Sequence, residues 1–273
     1  MRSWQVMGGA AVATAVAVAA VALPGTSAFP RHAVFAPRRG DPAVAGAHHV
    51  VALGDSVASG AACSCDPFPV LYARLLSQRT GTRVTVENDG VSGLDTGGLV
   101  AQLKEPDVAD AVRRADVVLV TIGANDFGDR HDQVVGGTCT GAGGADCVSD
   151  ELATLRSRLA GALVAIRTLR QGRPTSVLVT GYWNVFEDGQ VARRSFGASG
   201  LHAALDLTRR VNATIRAVSA TSRAHYVDLF EPFESRGPDI DALLASDGDH
   251  PDAAGHRLIA TTLVDAGLPH GSP

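Results

Sequence analysis

The sequence predicts a doubly wound α/β/α sandwich: an α/β fold of three layers built on a five-stranded parallel sheet. Two observations carry that expectation. Short Val-rich runs recur at His48 to Leu53, Arg83 to Glu87, Asp116 to Ile122, Thr175 to Thr180 and His225 to Leu229. Their apolarity is continuous rather than alternating, as it is in strands covered on both faces. Between the runs lie stretches of helical period, and strand–helix alternation implies right-handed crossovers that place helices on both sides of the sheet.

The helical stretches are read from their apolar spacing. Leu152, Leu155, Leu159, Leu163 and Ile166 recur at steps of three and four, with Gly172 as a stop. Leu201, Leu205, Thr208, Val211, Ile215 and Val218 form a second stripe. A third helix is expected after Pro251, a residue suited to a first helical position, and should end near Gly267. A chain of 273 residues with no internal repeat fits one domain, placed at residues 47–269.

The N-terminus is of another character. Arg2 is the only charge before Arg31, and Met7 to Leu23 is apolar and rich in Ala and Val. Pro24 and Gly25 break that run, and Thr26-Ser27-Ala28 supplies small residues for a peptidase. This is the layout of a secretory signal peptide over residues 1–28, and the mature protein is expected to be secreted, with no stable membrane insertion after cleavage. A membrane anchor is the competing reading, since a span needs about 17 apolar residues at the least. Residues 29–46 mix Pro, Arg, Ala and Gly without period and read as a mobile linker.

Net charge is −4 and no basic run occurs, so no nucleic-acid partner is expected. A monomer is expected. The four cysteines suit an exported chain with two disulfides, Cys139 with Cys147 by proximity and Cys63 with Cys65 by remainder. A zinc site is the alternative; the spacing lacks paired C-x-x-C motifs and no His is expected close to either pair, so no metal or other cofactor is expected. Phe127 to Ser149 is long, Gly-rich and aperiodic, and reads either as a border of a cleft or as a surface excursion. Closing its Cys139–Cys147 ring would contribute about 2.5 kcal/mol.

Ligands of an open parallel sheet bind beyond the carboxyl ends of its strands, so the residues that follow each strand form a set. They are Gly54-Asp55-Ser56, then Asn88-Asp89-Gly90-Val91-Ser92-Gly93, then Gly123-Ala124-Asn125-Asp126, and near the C-terminus Asp247-Gly248-Asp249-His250-Pro251. A hydroxyl becomes a nucleophile when a base takes its proton, and His is the side chain best tuned for that near neutral pH. An Asp three residues before a His can fold back onto Nδ1–H and leave Nε2 free for the Ser. The Ser56 and Gly93 N–H groups with the Asn125 amide supply donors for an oxyanion. Ser56, His250 and Asp247 are therefore the candidate catalytic residues.

These four stations resemble the SGNH hydrolases, also called GDSL lipases and esterases. Gly54-Asp55-Ser56-Val57 is similar to the nucleophile block, with Val57 in place of Leu; Gly93, Gly123-x-Asn125-Asp126 and Asp247-x-x-His250 match the other three. The resemblance spans residues 48 to 267 and implies a flavodoxin-like sandwich and metal-independent hydrolysis of an ester or thioester. It implies as substrate a small-molecule, lipid or acylated-sugar ester. A carbohydrate deacetylase, or a binding module that keeps the fold without the activity, are the other readings.

Competing residues are few. Gly90 rivals Gly93, and Asp249 rivals Asp247, although adjacent side chains generally diverge. His256, His225 and His202 have structural explanations in helices or at a strand start. Asn125 can be a helix cap, and Asp55 a turn stabiliser. Trp183, Phe127 and Phe68 are pocket candidates, but large apolar side chains are more often packing. Neither a Gly-x-Ser-x-Gly elbow nor a phosphate-binding Gly-rich loop occurs in the sequence.

Overall fold

Val50 to Leu53 and Val117 to Ile122 are almost completely shielded from solvent, as continuous apolar runs must be when helices cover both faces of their sheet. The structure, a computed structural model, describes residues 31–36, 47–139 and 147–267. The expected signal peptide at 1–28 and the final residues from 268 lie outside them.

The strands are β1 (His32–Phe35), β2 (Ala47–Gly54), β3 (Arg83–Gly90), β4 (Val117–Thr121), β5 (Ser176–Thr180) and β6 (His225–Val227). They lie in the order β1-β3-β2-β4-β5-β6, every pair parallel except β1 with β3. The sheet thus has six strands rather than the five expected. The extra strand falls inside the stretch read as a mobile linker, and that reading is corrected for residues 31–36. Four residues are too short a run to show a period, and an antiparallel edge strand on a parallel sheet needs no long apolar stretch. Polar contacts fasten its start: the Asn88 N–H donates to the Arg31 carbonyl at 2.8 Å, and the Arg31 guanidinium meets Asp89 at 2.6 Å.

Without β1 the order is that of a flavodoxin-like sheet, with the chain leaving β2 first to one side and then to the other. The switch point lies at the carboxyl end of β2, between β3 and β4. The described helices are α1 (Ser56–Ser59), α2 (Phe68–Thr80), α3 (Thr96–Gln102), α4 (Pro106–Arg114), α5 (His131–Val135), α6 (Ser149–Arg170), α7 (Gly189–Thr221), α8 (Phe230–Glu234) and α9 (Ala253–Asp265). α2 packs with α9, while α6 packs with α3, α4 and α7, which gives the two outer layers. None of the described helices is long and apolar enough to cross a membrane.

α6, α7 and α9 are the helices that spacing predicts. α7 starts earlier than its stripe because Gly197, at φ 68° and ψ −171°, breaks it, and the stripe from Leu201 belongs to the second part. α2 buries Phe68, Val70, Tyr72, Ala73 and Leu76, while Leu71 and Leu75 share its less buried side with Arg74 and Gln78. The segment from Phe127 to Ser149 is not an irregular loop throughout. A 3₁₀ turn at Ala124–Arg130 runs into α5, and residues 140–146 lie outside the described residues. Cys63 pairs with Cys65 and Cys139 with Cys147.

Gly54 is the tightest point of the sheet. It sits at φ 141°, and a Cβ there would lie 2.0 Å from the Thr121 carbonyl oxygen. Gly161, inside α6, has open space around it. Gly54→Ala should therefore lose roughly 3 kcal/mol or more, from backbone strain and overpacking together. Gly161→Ala should gain about 0.5–1 kcal/mol from helix propensity. Urea unfolding of both variants checks the pair, and equal effects would contradict this account of Gly54.

Candidate active site

The end of β2 is shaped by a short cap. The Asp55 N–H donates to Thr121 O at 3.0 Å, and its Oδ1 accepts from the Val57 N–H at 3.0 Å, so Asp55 caps α1. Asp55 is buried, and its other oxygen accepts from the Tyr182 hydroxyl at 2.5 Å. Burial pushes the Asp55 carboxyl up to about 6, against the lowering from those two hydrogen bonds. Ser56 is the first residue of α1, so its N–H has no use within the helix. Gly60 closes that helix at φ 80°.

The loop after β3 is fastened from two sides. Val91 N–H donates to Gly54 O at 2.8 Å, and the Asn125 amide donates to Leu94 O at 2.9 Å. Asp126 reinforces the second tie, accepting from the Thr96 N–H at 3.0 Å and the Thr96 hydroxyl at 2.5 Å. Gly93, between these ties, sits at φ 78° with open space where a Cβ would stand. Gly90 is different: a Cβ there would lie 2.5 Å from Ser59 N, so this glycine serves packing against α1. One Asn125 N–H is spent on Leu94, and an amide nitrogen carries a second.

His250 is held by a tight turn in which Gly248 adopts φ 82°. Asp247 Oδ1 accepts from the His250 N–H at 3.2 Å, and Oδ2 lies 3.0 Å from ring Nδ1 in hydrogen-bonding geometry. Asp249 Oδ1 lies nearer, at 2.8 Å from the same nitrogen, but off the ring's hydrogen-bonding direction. The expectation that an adjacent side chain diverges is corrected: the turn folds both carboxylates onto one ring nitrogen. The Trp183 indole fixes the backbone of this turn by donating to Asp249 O at 3.2 Å, while stacked on Phe233 with ring centres 4.4 Å apart.

Asp249 chiefly, with Asp247, raises the His250 imidazolium to about 9 against the lowering from burial. Burial acts to raise Asp247, but its hydrogen bonds, those from the His250 backbone and ring among them, hold it below the ordinary carboxylate value.

One cleft of about 460 Å³ takes in Ser56, His250, Gly93 and Asn125, with Asp55 and Asp249 in its walls. Asp247 stands behind the ring. His131, Phe186 and Glu187 also line the cleft, and spacing in the sequence gives no sign of them. Gly128 and His131 bring the start of the Phe127–Ser149 segment to the cleft, whereas Gly136 and Gly137 border a separate cavity. Trp183, Phe127 and Phe68 are fully buried and serve packing.

The three histidines that rival His250 in the sequence fall elsewhere. His202 is exposed on α7 beside Asp206, and His225 starts β6. His256 is fully buried and its Nδ1 accepts from the Phe68 N–H at 3.2 Å. It does lie near a cysteine pair in space: one ring nitrogen and the Cys63 and Cys65 sulfurs fall within 4.8 Å of one another. The sequence argument against such proximity is thereby corrected. With those sulfurs joined to each other, neither is the thiolate a metal would require.

The family model described as "GDSL-like Lipase/Acylhydrolase family" matches residues 52–258. None of the curated proteins compared with the chain matches it. Among solved structures, a lipase from a goat rumen metagenome is similar at 20% identity and a TM-score of 0.65, over 82% of this chain and 99% of that one. A lipase/acylhydrolase from Enterococcus faecalis is similar at 20% identity and a TM-score of 0.54, over 80% and 94%. A catalytic mutant of an acetylxylan esterase from Geobacillus stearothermophilus is similar at 15% identity and a TM-score of 0.56, over 83% and 96%. At these identities the likeness is one of fold.

Two carboxylates on one ring nitrogen make the protonated imidazole the favoured form well above neutrality. NMR titration of His250 should give a midpoint near 9, and the Asp247→Asn/Asp249→Asn double variant should move it down toward 6.5. A wild-type midpoint at 6.5 would contradict the charge contacts described for this turn.

Proposed function

The chain belongs to the GDSL-like lipase/acylhydrolase family, a family of ester hydrolases, and from that premise we propose that it is an exported serine esterase with Ser56 as nucleophile and His250 as base. The observation that carries the reading is the convergence of Ser56, His250, Gly93 and Asn125 on one cleft at the switch point of the sheet. The N-terminal layout of charge, apolar run and small residues supports export.

In this mechanism His250 Nε2 takes the Ser56 proton as the oxygen attacks the ester carbonyl. Asp247 holds Nδ1–H and so fixes the tautomer that leaves Nε2 free. Charge that develops on the carbonyl oxygen meets the Ser56 and Gly93 N–H groups and the second N–H of Asn125. The tie from Asn125 to Leu94 gives that residue a further use, because it sets the loop that carries Gly93. His250 then returns the proton to the departing alcohol. Water, deprotonated by the same ring, attacks the acyl-enzyme and releases the acid.

Hydrolysis of p-nitrophenyl esters of increasing acyl length tests this reading. Activity should disappear in Ser56→Ala and fall roughly 10²- to 10³-fold in Asn125→Ala. The chain length with the highest rate separates an acetylesterase from a lipase. Equal rates in wild type and Ser56→Ala would overturn the reading, and wild-type rates in Asn125→Ala would remove that residue from the oxyanion site.

A further inference from the structure

Glu187 is the one cleft residue whose backbone and side chain are both in costly states. It sits at φ 68°, a conformation that favours glycine, and its Oε2 is buried with no partner among the described residues. Such backbone persists only where the surroundings determine it. Here they do: buried Asn184 donates from its amide to Glu187 O at 2.9 Å, and the Asn184 Oδ1 accepts from the buried Thr208 hydroxyl at 3.2 Å. On the other side, the Asp188 N–H donates to Gly248 O at 2.8 Å. Glu187 is therefore fixed relative to the turn that carries His250.

That tie decides which part of a substrate the carboxylate meets. Asp247, Asp249, His131 and Asp132 are the charges that act on Glu187, and two of them are the carboxylates behind the His250 ring. Gly93 and Asn125 belong to the loops on the oxyanion side. The leaving alcohol departs toward His250, so Glu187 stands on the alcohol side of the cleft rather than on the acyl side. No Lys or Arg is present among the described residues that line the cleft, and the His250 ring is already held by Asp247 and Asp249, so no unpaired cation there would balance an anionic group. The buried Oε2 is sealed from a ligand, but the half-buried side chain lines the cleft, and its other oxygen can accept from a donor that the ligand brings.

Resting on the esterase reading, we propose that Glu187 is a specificity residue that accepts a hydrogen bond from the alcohol part of the substrate. It selects esters of uncharged, hydroxyl-bearing alcohols and rejects esters whose alcohol part carries a carboxylate. His131, in ring contact with Phe186 and Phe196, forms the adjoining wall and closes the cleft beside that carboxylate.

The test compares kcat/KM for three acetate esters of similar size: glycerol monoacetate, propyl acetate and O-acetylglycolate. Wild type should favour the glycerol ester over the propyl ester by about tenfold or more, since a site built around a polar group penalises a ligand that lacks its partner. In Glu187→Ala that ratio should collapse toward one. In Glu187→Gln the ratio of O-acetylglycolate to propyl acetate should rise about tenfold, because removing the charge removes the repulsion. Ratios within each variant are independent of how much active protein is present, and circular dichroism checks that each variant folds. Ratios unchanged by both substitutions would overturn the role of Glu187 and leave the esterase reading standing. A wild type that hydrolyses neither these esters nor p-nitrophenyl acetate would overturn the esterase reading and this proposal with it.

Discussion

The Asp55 N–H reaches the Thr121 carbonyl oxygen at 3.0 Å only because residue 54 has no side chain in the way. Around that contact the carboxyl ends of β2 and β4 close together, with Gly54 in register with both Thr121 and Gly90. Ser56 leaves the first of these strands and Asn125 follows the second. The same Gly54 offers its carbonyl to Val91, which draws in the loop that carries Gly93. One close backbone approach thus sets the relative positions of three of the four stations.

The fourth station comes from a distant part of the sequence and is fastened separately. The 247–250 turn is tied to the segment before α7 through Gly248 and Asp188, and to the aromatic core through Trp183. Tyr182, the neighbour of Trp183, donates to Asp55. Two consecutive residues after β5 therefore connect the cap beneath Ser56 with the backbone beside His250. With two carboxylates on its Nδ1, the proposed base is poised to act best toward alkaline pH, where more of the ring is neutral.

How much of this was legible follows from the physics of each signal. All five expected strands end within a few residues of their predicted ends, because burial on both faces leaves continuous apolar runs that need no alignment to see. β1 has no such run: it is an edge strand with only Ala33 and Phe35 packed against the core, and its start is fastened by Arg31 and Asn88. α2 escaped because Leu71 and Leu75 stand on its less buried side with Arg74 and Gln78 and blur the apolar stripe. Ser56, Gly93, Asn125 and His250 were readable because sheet topology converts the ends of strands into neighbours. Asp249 required knowledge of a turn, and Glu187 and His131 converge through tertiary packing that no spacing records.

The account stands or falls on Ser56 as the nucleophile. The most direct test is treatment with a fluorophosphonate, followed by intact-mass measurement and peptide mapping. The account predicts one covalent adduct, on the peptide that contains Ser56, and none in Ser56→Ala. An unmodified wild-type protein, or an adduct that persists in Ser56→Ala, would contradict it.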